Sequence, residues 1–323
     1  MKTFAHALLL VLFSTLTTVA SADPTYPNRA IRWVVPYPAG GGSDALARMI
    51  MPELSKRLGV PVVIENKPGA ASAIAASEVA RSAPDGYTIL NADVGTLVYN
   101  PALFKKLSYD PAKDFRPVSL LIRLPTILVI GPGSPANSVK ELFELVKAQP
   151  GKISYGSAGP GSPHAMAMEL LKAKVGLDMV HVPYRGGALS LQDVASGQIP
   201  MTMTDFAGGG GMIKSGKVRP LAVATAKRME QLPDVPTFEE LGYPGIHAAV
   251  FTGIVVPAAT PNDIVVKLQK GLQEAVAEPS VRARLVETGH EPIGGTAEQF
   301  AAFLQQETPS WHKLIKDLNL SLD

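Results

Sequence analysis

Pro36-Tyr37-Pro38-Ala39-Gly40-Gly41-Gly42-Ser43-Asp44 decides how this chain is read. An apolar run, 31–35, precedes it and a helical pattern, 45–58, follows it. An apolar run, then consecutive glycines, then a helix start is how a buried parallel strand hands over to a helix. Ser43 or Asp44 is placed to cap that helix, since a short side-chain oxygen accepts from the free N–H groups of the first turn. Gly40, Gly41 and Gly42 carry no Cβ, so another molecule can approach their backbone closely. The free N–H groups and positive dipole end of a helix N-terminus suit an anion. Most glycine-bearing turns are plain connections. Three glycines in succession exceed what a turn needs, and they favour an anion site.

Outward from this stretch the chain alternates. Residues 62–66 read as a second strand, turned by Lys67-Pro68-Gly69, and 72–82 as an Ala-rich helix. A third strand, 88–91, leads to the loop 92–96. Strands alternating with helices at this spacing imply an α/β protein with a parallel sheet, whose ligands sit beyond the carboxyl ends of the strands. Two apolar runs follow, 118–122 and 126–130, split by Arg123-Leu124-Pro125. Ser138 with Glu141 makes a capping box for a helix over 139–148. A second alternating set begins there: strand 152–155, the glycine-rich turn 156–162, then a helix over 163–174 with Ser162 as cap and Pro163 in first position. Strand 179–182 ends in Pro183-Tyr184-Arg185-Gly186, a helix over 188–196 follows, and strand 201–204 ends at Asp205. After a strand at 221–225 comes a β run, 247–256, then helices over 261–277 and 280–288. Thr296 with Gln299 caps a last helix, which Pro309 is expected to kink.

Bulk properties narrow the function. Lys2, the apolar stretch 7–13 and Ala20-Ser21-Ala22 form a targeting segment, with cleavage expected after Ala22 and export of the rest. Its apolar core is too short for a permanent membrane span. The chain has no cysteine, which excludes disulfides, lipid attachment at cysteine and thiol chemistry. The remaining length, about 300 residues, suits two domains. Without Lys2 it carries 29 basic against 28 acidic side chains, a balance that gives no basis for nucleic-acid binding.

Several motifs fail on inspection. Gly211 to Lys217 imitates a nucleotide loop, but Val218 stands where a magnesium-binding Ser or Thr belongs, and Gly216 reads as a helix C-cap. Gly131-Pro132-Gly133 is an extended linker, not a dinucleotide fingerprint. No Gly-x-Ser-x-Gly elbow occurs. His164, His181, His247, His290 and His312 include no pair at helical metal-ligand spacing. Acidic residues show no paired acid–base arrangement. These absences weigh against an enzyme, and no metal or cofactor is expected.

Tyr26-Pro27-Asn28-Arg29, the 36–44 stretch, Glu65-Asn66-Lys67-Pro68-Gly69-Ala70 and Ala83-Pro84-Asp85-Gly86-Tyr87-Thr88 together resemble the extracytoplasmic receptors of tripartite tricarboxylate transporters, the Bug-type solute receptors. Tyr155 to Gly159 with His164, Val182 to Gly186, and Pro257-Ala258-Ala259-Thr260-Pro261 match in the same order. The resemblance implies a type II periplasmic-binding-protein fold: two doubly wound α/β domains joined by two crossover segments, near 124–130 and 250–256. Residues 1–22 would be the signal peptide, 23–125 with 250–323 the first domain, and 126–249 the second. It also implies an organic carboxylate as ligand, delivered unchanged to a membrane permease from the periplasm, by a receptor expected to be monomeric.

On this reading the helix starts at Gly40–Asp44 and Ser157–His164 face one another and offer N–H groups to a carboxylate, each dipole contributing about 0.3–1 kcal/mol. The backbone at Ala39 and Gly159 lies in the same two loops. Ser157, Ser162 and Thr96 add charge-assisted hydrogen bonds. Tyr37 and Tyr184 stand at strand ends on the ligand edge. Arg185 either pairs with the carboxylate or braces its own loop. Asp205 accepts from a ligand hydroxyl or amino group, from water, or from loop N–H groups. In the family Asp205 is often followed by Asn; here Phe206 follows, a departure from amino-acid-binding relatives. Phe206, Tyr37, Tyr184 and Phe251 suggest an aromatic-lined cleft and a benzoate- or phthalate-type ligand over citrate. An exported enzyme or a sensor module on the same fold is the alternative.

Overall fold

The computed structural model describes residues 26–322; the targeting segment lies outside them. The strands are β1 (Ile31–Val35), β2 (Val62–Asn66), β3 (Thr88–Asp93), β4 (Phe115–Ile130), β5 (Ser154–Ser157), β6 (Val180–Pro183), β7 (Met201–Asp205), β8 (Arg219–Val223), β9 (Ala249–Pro257) and β10 (Glu291–Pro292). Helices α1 (Gly42–Leu58) and α2 (Ala73–Ala80) follow β1 and β2. Short α3 (Asn100–Leu103) and α4 (Pro111–Asp114) precede β4, with α5 (Val139–Ala148) after it. Then come α6 (Pro163–Val175), α7 (Gly187–Ala195), α8 (Phe206–Lys214), α9 (Asn262–Ala277), α10 (Pro279–Glu287) and α11 (Ala297–Asp317).

The strands run in the order β2-β1-β3-β9-β4-β7-β5-β6, with β8 and β10 also paired to β4. β1, β2 and β3 are parallel to one another, as are β5, β6 and β7. β9 is antiparallel to β3, and β4 is antiparallel to β9, β7 and β8. The parallel sheet read from the sequence is therefore mixed. The two apolar runs at 118–122 and 126–130 are one strand, not two. β4 continues through Pro125: residues up to Pro125 pair with β9, and Thr126 onward pair with β7 and β8. A proline lacks a ladder donor, so it is tolerated where the pairing changes partner.

Strand alternation sorts the core onto two faces. Ile31, Trp33 and Val35 pack under α1 and α9 with Leu46, Ile50, Leu54, Leu268 and Leu272, whereas Val34 points into the opposite layer. In β4, Ile127 and Val129 face one cluster and Leu128 and Ile130 the other. Gly271 brings α9 close to α1, since a Cβ there would meet Leu58 at 3.0 Å. Burial on both sides explains why these strands read as continuous apolar runs. Thr296 and Gln299 cap α11 reciprocally, and the helix continues through Pro309 to Asp317 without ending there.

Candidate functional site

Strand register brings the ends of β3 and β7 to the crossing strands. Asp93, at the end of β3, pairs with Thr252 near the start of β9. Asp205, at the end of β7, pairs with Thr126, whose N–H donates to Ala248 O at 3.2 Å. The carboxyl ends of both parallel strand sets thus lie beside the crossing strands β4 and β9, and the loops they emit form two walls, one from each set.

On the first wall, α1 begins at Gly42 with Gly41 as its cap residue, and no side chain caps it. The first-turn N–H groups remain available, as an anion site requires. Gly41 has an extended φ of −77°, and at Gly42 a Cβ would meet nothing within 4 Å. Neither needs to be glycine for the backbone's sake. Gly40, at φ +81°, does. Ala39, Gly40 and Gly42 are exposed, and Ser43 is half-buried with no capping bond.

Asp44, expected as a cap or a ligand contact, turns inward instead. Its carboxylate accepts from Gly40 N and Arg48 Nε, both at 2.9 Å, and from Asn66 Nδ2 at 3.0 Å. It pins the loop to β2. Its bonds to Arg48 and Gly40 N–H pull the carboxyl from 3.8 down to about 2. A depressed folded value contributes stability above the unfolded value, and that stability is lost as pH falls through the folded one. The half-exposed Arg48 limits the effect to about 1–2 kcal/mol. Urea midpoints of the wild type and Asp44→Asn should therefore differ at about pH 5 and converge toward pH 2.

Beside this loop the chain from Ala70 to Ser72 holds three successive non-glycine residues at positive φ, 46°, 48° and 77°. Nothing in the sequence signalled this strain. Asn100 Nδ2 donates to Ala71 O at 2.6 Å, and Thr96 Oγ1 lies 2.9 Å from Ser72 Oγ, which holds the strained turn in place. An Ala71→Gly substitution should stabilise the protein by about 0.5–1 kcal/mol net of glycine's entropy cost, raising the melting temperature by about 1–2 °C.

Thr96 is fully buried, contrary to its expected role as a ligand donor. Its hydroxyl and N–H are each 2.9 Å from Asp93 Oδ1, and Tyr37 Oη donates to Asp93 Oδ2 at 2.5 Å. Burial, then the Asp93 charge, push the Tyr37 phenol well above its ordinary value, so it stays protonated. Tyr37 stands on the ligand edge but its hydroxyl is committed.

The second wall corrects further expectations. Ser157 is fully buried; Gly159 N donates to its Oγ at 3.0 Å, and His181 Nε2 lies 2.6 Å away. This serine–histidine contact resembles a nucleophile and base, but no substrate can reach a hydroxyl sealed in this way. Gly159, at φ +121°, passes so close to Tyr184 O that a Cβ would sit 3.2 Å from it. Ser162 accepts from Ala165 N at 3.2 Å and donates to Gly159 O at 2.7 Å, so α6 is capped by its own chain. The two helix starts are therefore unequal: α1 is open, α6 partly self-satisfied. The helix read over 188–196 forms as α7 and starts one residue earlier, beside His164, a position not expected to belong to the site. Gly186 caps the helix with no side-chain bond, and a Cβ on Gly187 would lie 3.4 Å from His164 Cε1.

His164 Nε2 and Asp205 Oδ2 are 3.0 Å apart, and Asp205 Oδ1 accepts from Gly208 N at 2.7 Å, capping α8. Burial alone would raise the Asp205 carboxyl; His164 and the Gly208 N–H outweigh it and hold it below its ordinary value. Tyr184 donates to Asp193 Oδ2 at 2.6 Å. Arg185 is exposed and makes no hydrogen bond or ion pair among the described residues.

The aromatic lining does not form. Phe206 is buried against Gly210 and Gly289, where a Cβ would approach the Phe206 Cβ to 2.5 Å. Phe251 lies between Phe300 and Phe303, ring centroids 6.1 and 5.0 Å away. Both are core residues. No hydrogen bond or ion pair joins the first-wall loops to the second-wall loops among the described residues. Nor does any group of three His, Asp or Glu among them stand where it could hold a metal.

Two α/β walls meeting at crossing strands, with an open helix start on one of them, have the architecture of a solute-binding protein. Residues 46–320 match the family model described as "Tripartite tricarboxylate transporter family receptor". The chain belongs to this family, one of transport receptors and not of enzymes. It is similar to the periplasmic binding protein BugD, with 34% identity, 92% of this chain and 99% of that chain covered, and a TM-score of 0.79. A Rhodopseudomonas palustris protein solved with bound malate, MatC, shares 34% identity over 90% of this chain and 100% of its own, TM-score 0.78. Another R. palustris protein, Rpa4515, solved with adipate, shares 34% over 92% and 99%, TM-score 0.82. These likenesses place the chain in the α/β periplasmic binding protein fold.

Proposed function

We propose that this receptor captures an organic carboxylate in the periplasm and hands it unchanged to the membrane subunits of a tripartite transporter. The open, uncapped start of α1 at Gly41–Gly42 carries this reading: no side chain takes its first-turn N–H groups, and a Cβ at Gly42 would meet nothing within 4 Å. On this reading the first lobe is 23–125 with 250–323, of which 26–125 and 250–322 are described, and the second is 126–249, with β4 crossing at Pro125–Thr126 and the return crossing at Ala248–Ala249. The ligand stabilises the closed arrangement because it touches both lobes at once. With Phe206 and Phe251 in the core, only Tyr37 and Tyr184 of the four expected aromatic residues stay at the ligand edge. The malate and adipate relatives direct the reading toward an aliphatic dicarboxylate. Export by a cleaved signal peptide ending at Ala22 belongs to the same proposal.

The test is a thermal-shift and calorimetric panel of malate, adipate, citrate, benzoate and phthalate. A melting-temperature rise with an aliphatic dicarboxylate supports the reading, and flat values across the panel overturn it. Arg185, unpartnered at the rim, is the cation for the second carboxylate. Arg185→Ala should weaken the best ligand about tenfold or more by calorimetry. Unchanged affinity would remove Arg185 from the site.

A further inference from the structure

The hinge strands have a second side. β1 and β3 lie on one flank of the β9–β4 pair and β10 on the other; β7 and β5 lie on one flank of β4 and β8 on the other. Beside β10, α10 and the chain that follows β8 is a cavity of about 680 Å³ lined from both lobes. It has the size of a small-molecule site. None of the loops that wall the front cleft lines it.

Arg123 projects into this cavity. Its guanidinium stacks over Phe303, 4.9 Å from the ring centroid, and its Nε is buried with no hydrogen-bond partner. Glu291 stands directly opposite Arg123 in the antiparallel β4–β10 pairing, so their side chains share a face, with Cβ atoms about 5 Å apart. Yet the two form no ion pair. The other lining charges divide evenly. Arg228 is taken by Glu240 at 2.9 Å. That leaves Lys227 and Arg282 with Arg123, against Glu230 and Glu307 with Glu291. The apolar wall is Met229, Val286 and Phe303.

A net anion would leave the glutamates uncompensated, and a net cation the arginines. We propose that this cavity is a second binding site, for a small dipolar molecule with one carboxylate, one ammonium group and an apolar body: chemically, an apolar α-amino acid. Its carboxylate pairs with the Arg123 fork, its ammonium with Glu291, and its body packs on Phe303 and Val286.

Calorimetry with L-phenylalanine tests this, using 3-phenylpropionate and phenethylamine as analogues lacking one charge each. The wild type and Gly41→Val, which blocks the front cleft, should bind L-phenylalanine alike. Arg123→Met should bind it about tenfold more weakly, as should Val286→Trp, which fills the cavity and keeps every charge. Each analogue should also be about tenfold weaker. The site is overturned by absent binding, by binding that Gly41→Val abolishes, or by binding that Arg123→Met and Val286→Trp leave unchanged. Equal binding of either analogue overturns the dipolar assignment.

Discussion

Gly41→Val is expected to remove measurable carboxylate affinity, a loss of about a hundredfold or more, while the empty protein melts within about 2 °C of wild type. The two halves of this expectation rest on different observations. Gly41 sits at φ −77° and ψ 171°, a conformation that valine adopts readily, and its Cβ would meet Pro38 O at 3.3 Å, a tight contact but no overlap. Folding therefore tolerates the change. The added methyl groups, however, stand over the first-turn N–H groups of α1, where a carboxylate oxygen would need to come within about 3 Å. Calorimetry with the best acid of the panel, beside scanning calorimetry of the empty protein, measures both. A valine variant that binds normally would remove this helix start from the site. One that fails to fold would show that the glycine serves the backbone.

Asp205→Ala is expected to give the largest stability loss of any single change in the cleft. It removes the cap of α8, worth about 1 kcal/mol. It also leaves the largely buried His164 without its carboxylate, a further loss of about 2 kcal/mol. The melting temperature should fall by about 5 °C or more. Asp205→Asn, which keeps a capping oxygen and loses only the charge, should lie between the two. If Asp205→Ala melts normally and loses only ligand affinity, the aspartate faces the ligand and its bonds to His164 and Gly208 are incidental.

The backbone architecture was legible where local chemistry and burial agree. The strand–glycine–helix passage at 31–58, the Ser162-Pro163 start of α6 and the Thr296–Gln299 box each carry their signal within a few residues, and each formed. Pro125 misled because a proline reads as a break unless the partner strands are known. β4 pairs with β9 on one side of it and with β7 and β8 on the other. Side-chain roles were harder to read. Thr96, Ser157 and Asp44 are polar residues in the right loops, yet all are buried and bonded to their own chain. Whether a serine in a glycine-rich turn serves the ligand or the turn depends on distant partners such as His181, which no local pattern reveals. The strain at 70–72 was invisible for the same reason: Asn100 and Thr96 impose it from outside.

Among the described residues no hydrogen bond or ion pair joins the two front walls, and this has a mechanical consequence. Apolar packing, such as Gly161 against Leu103 and Leu322, joins the walls, so on the proposed function the ligand adds the polar bonds between them. A compound long enough to touch only one wall would occupy its half-site without drawing the jaws together. On the proposed function, such a compound would compete for the receptor without being delivered.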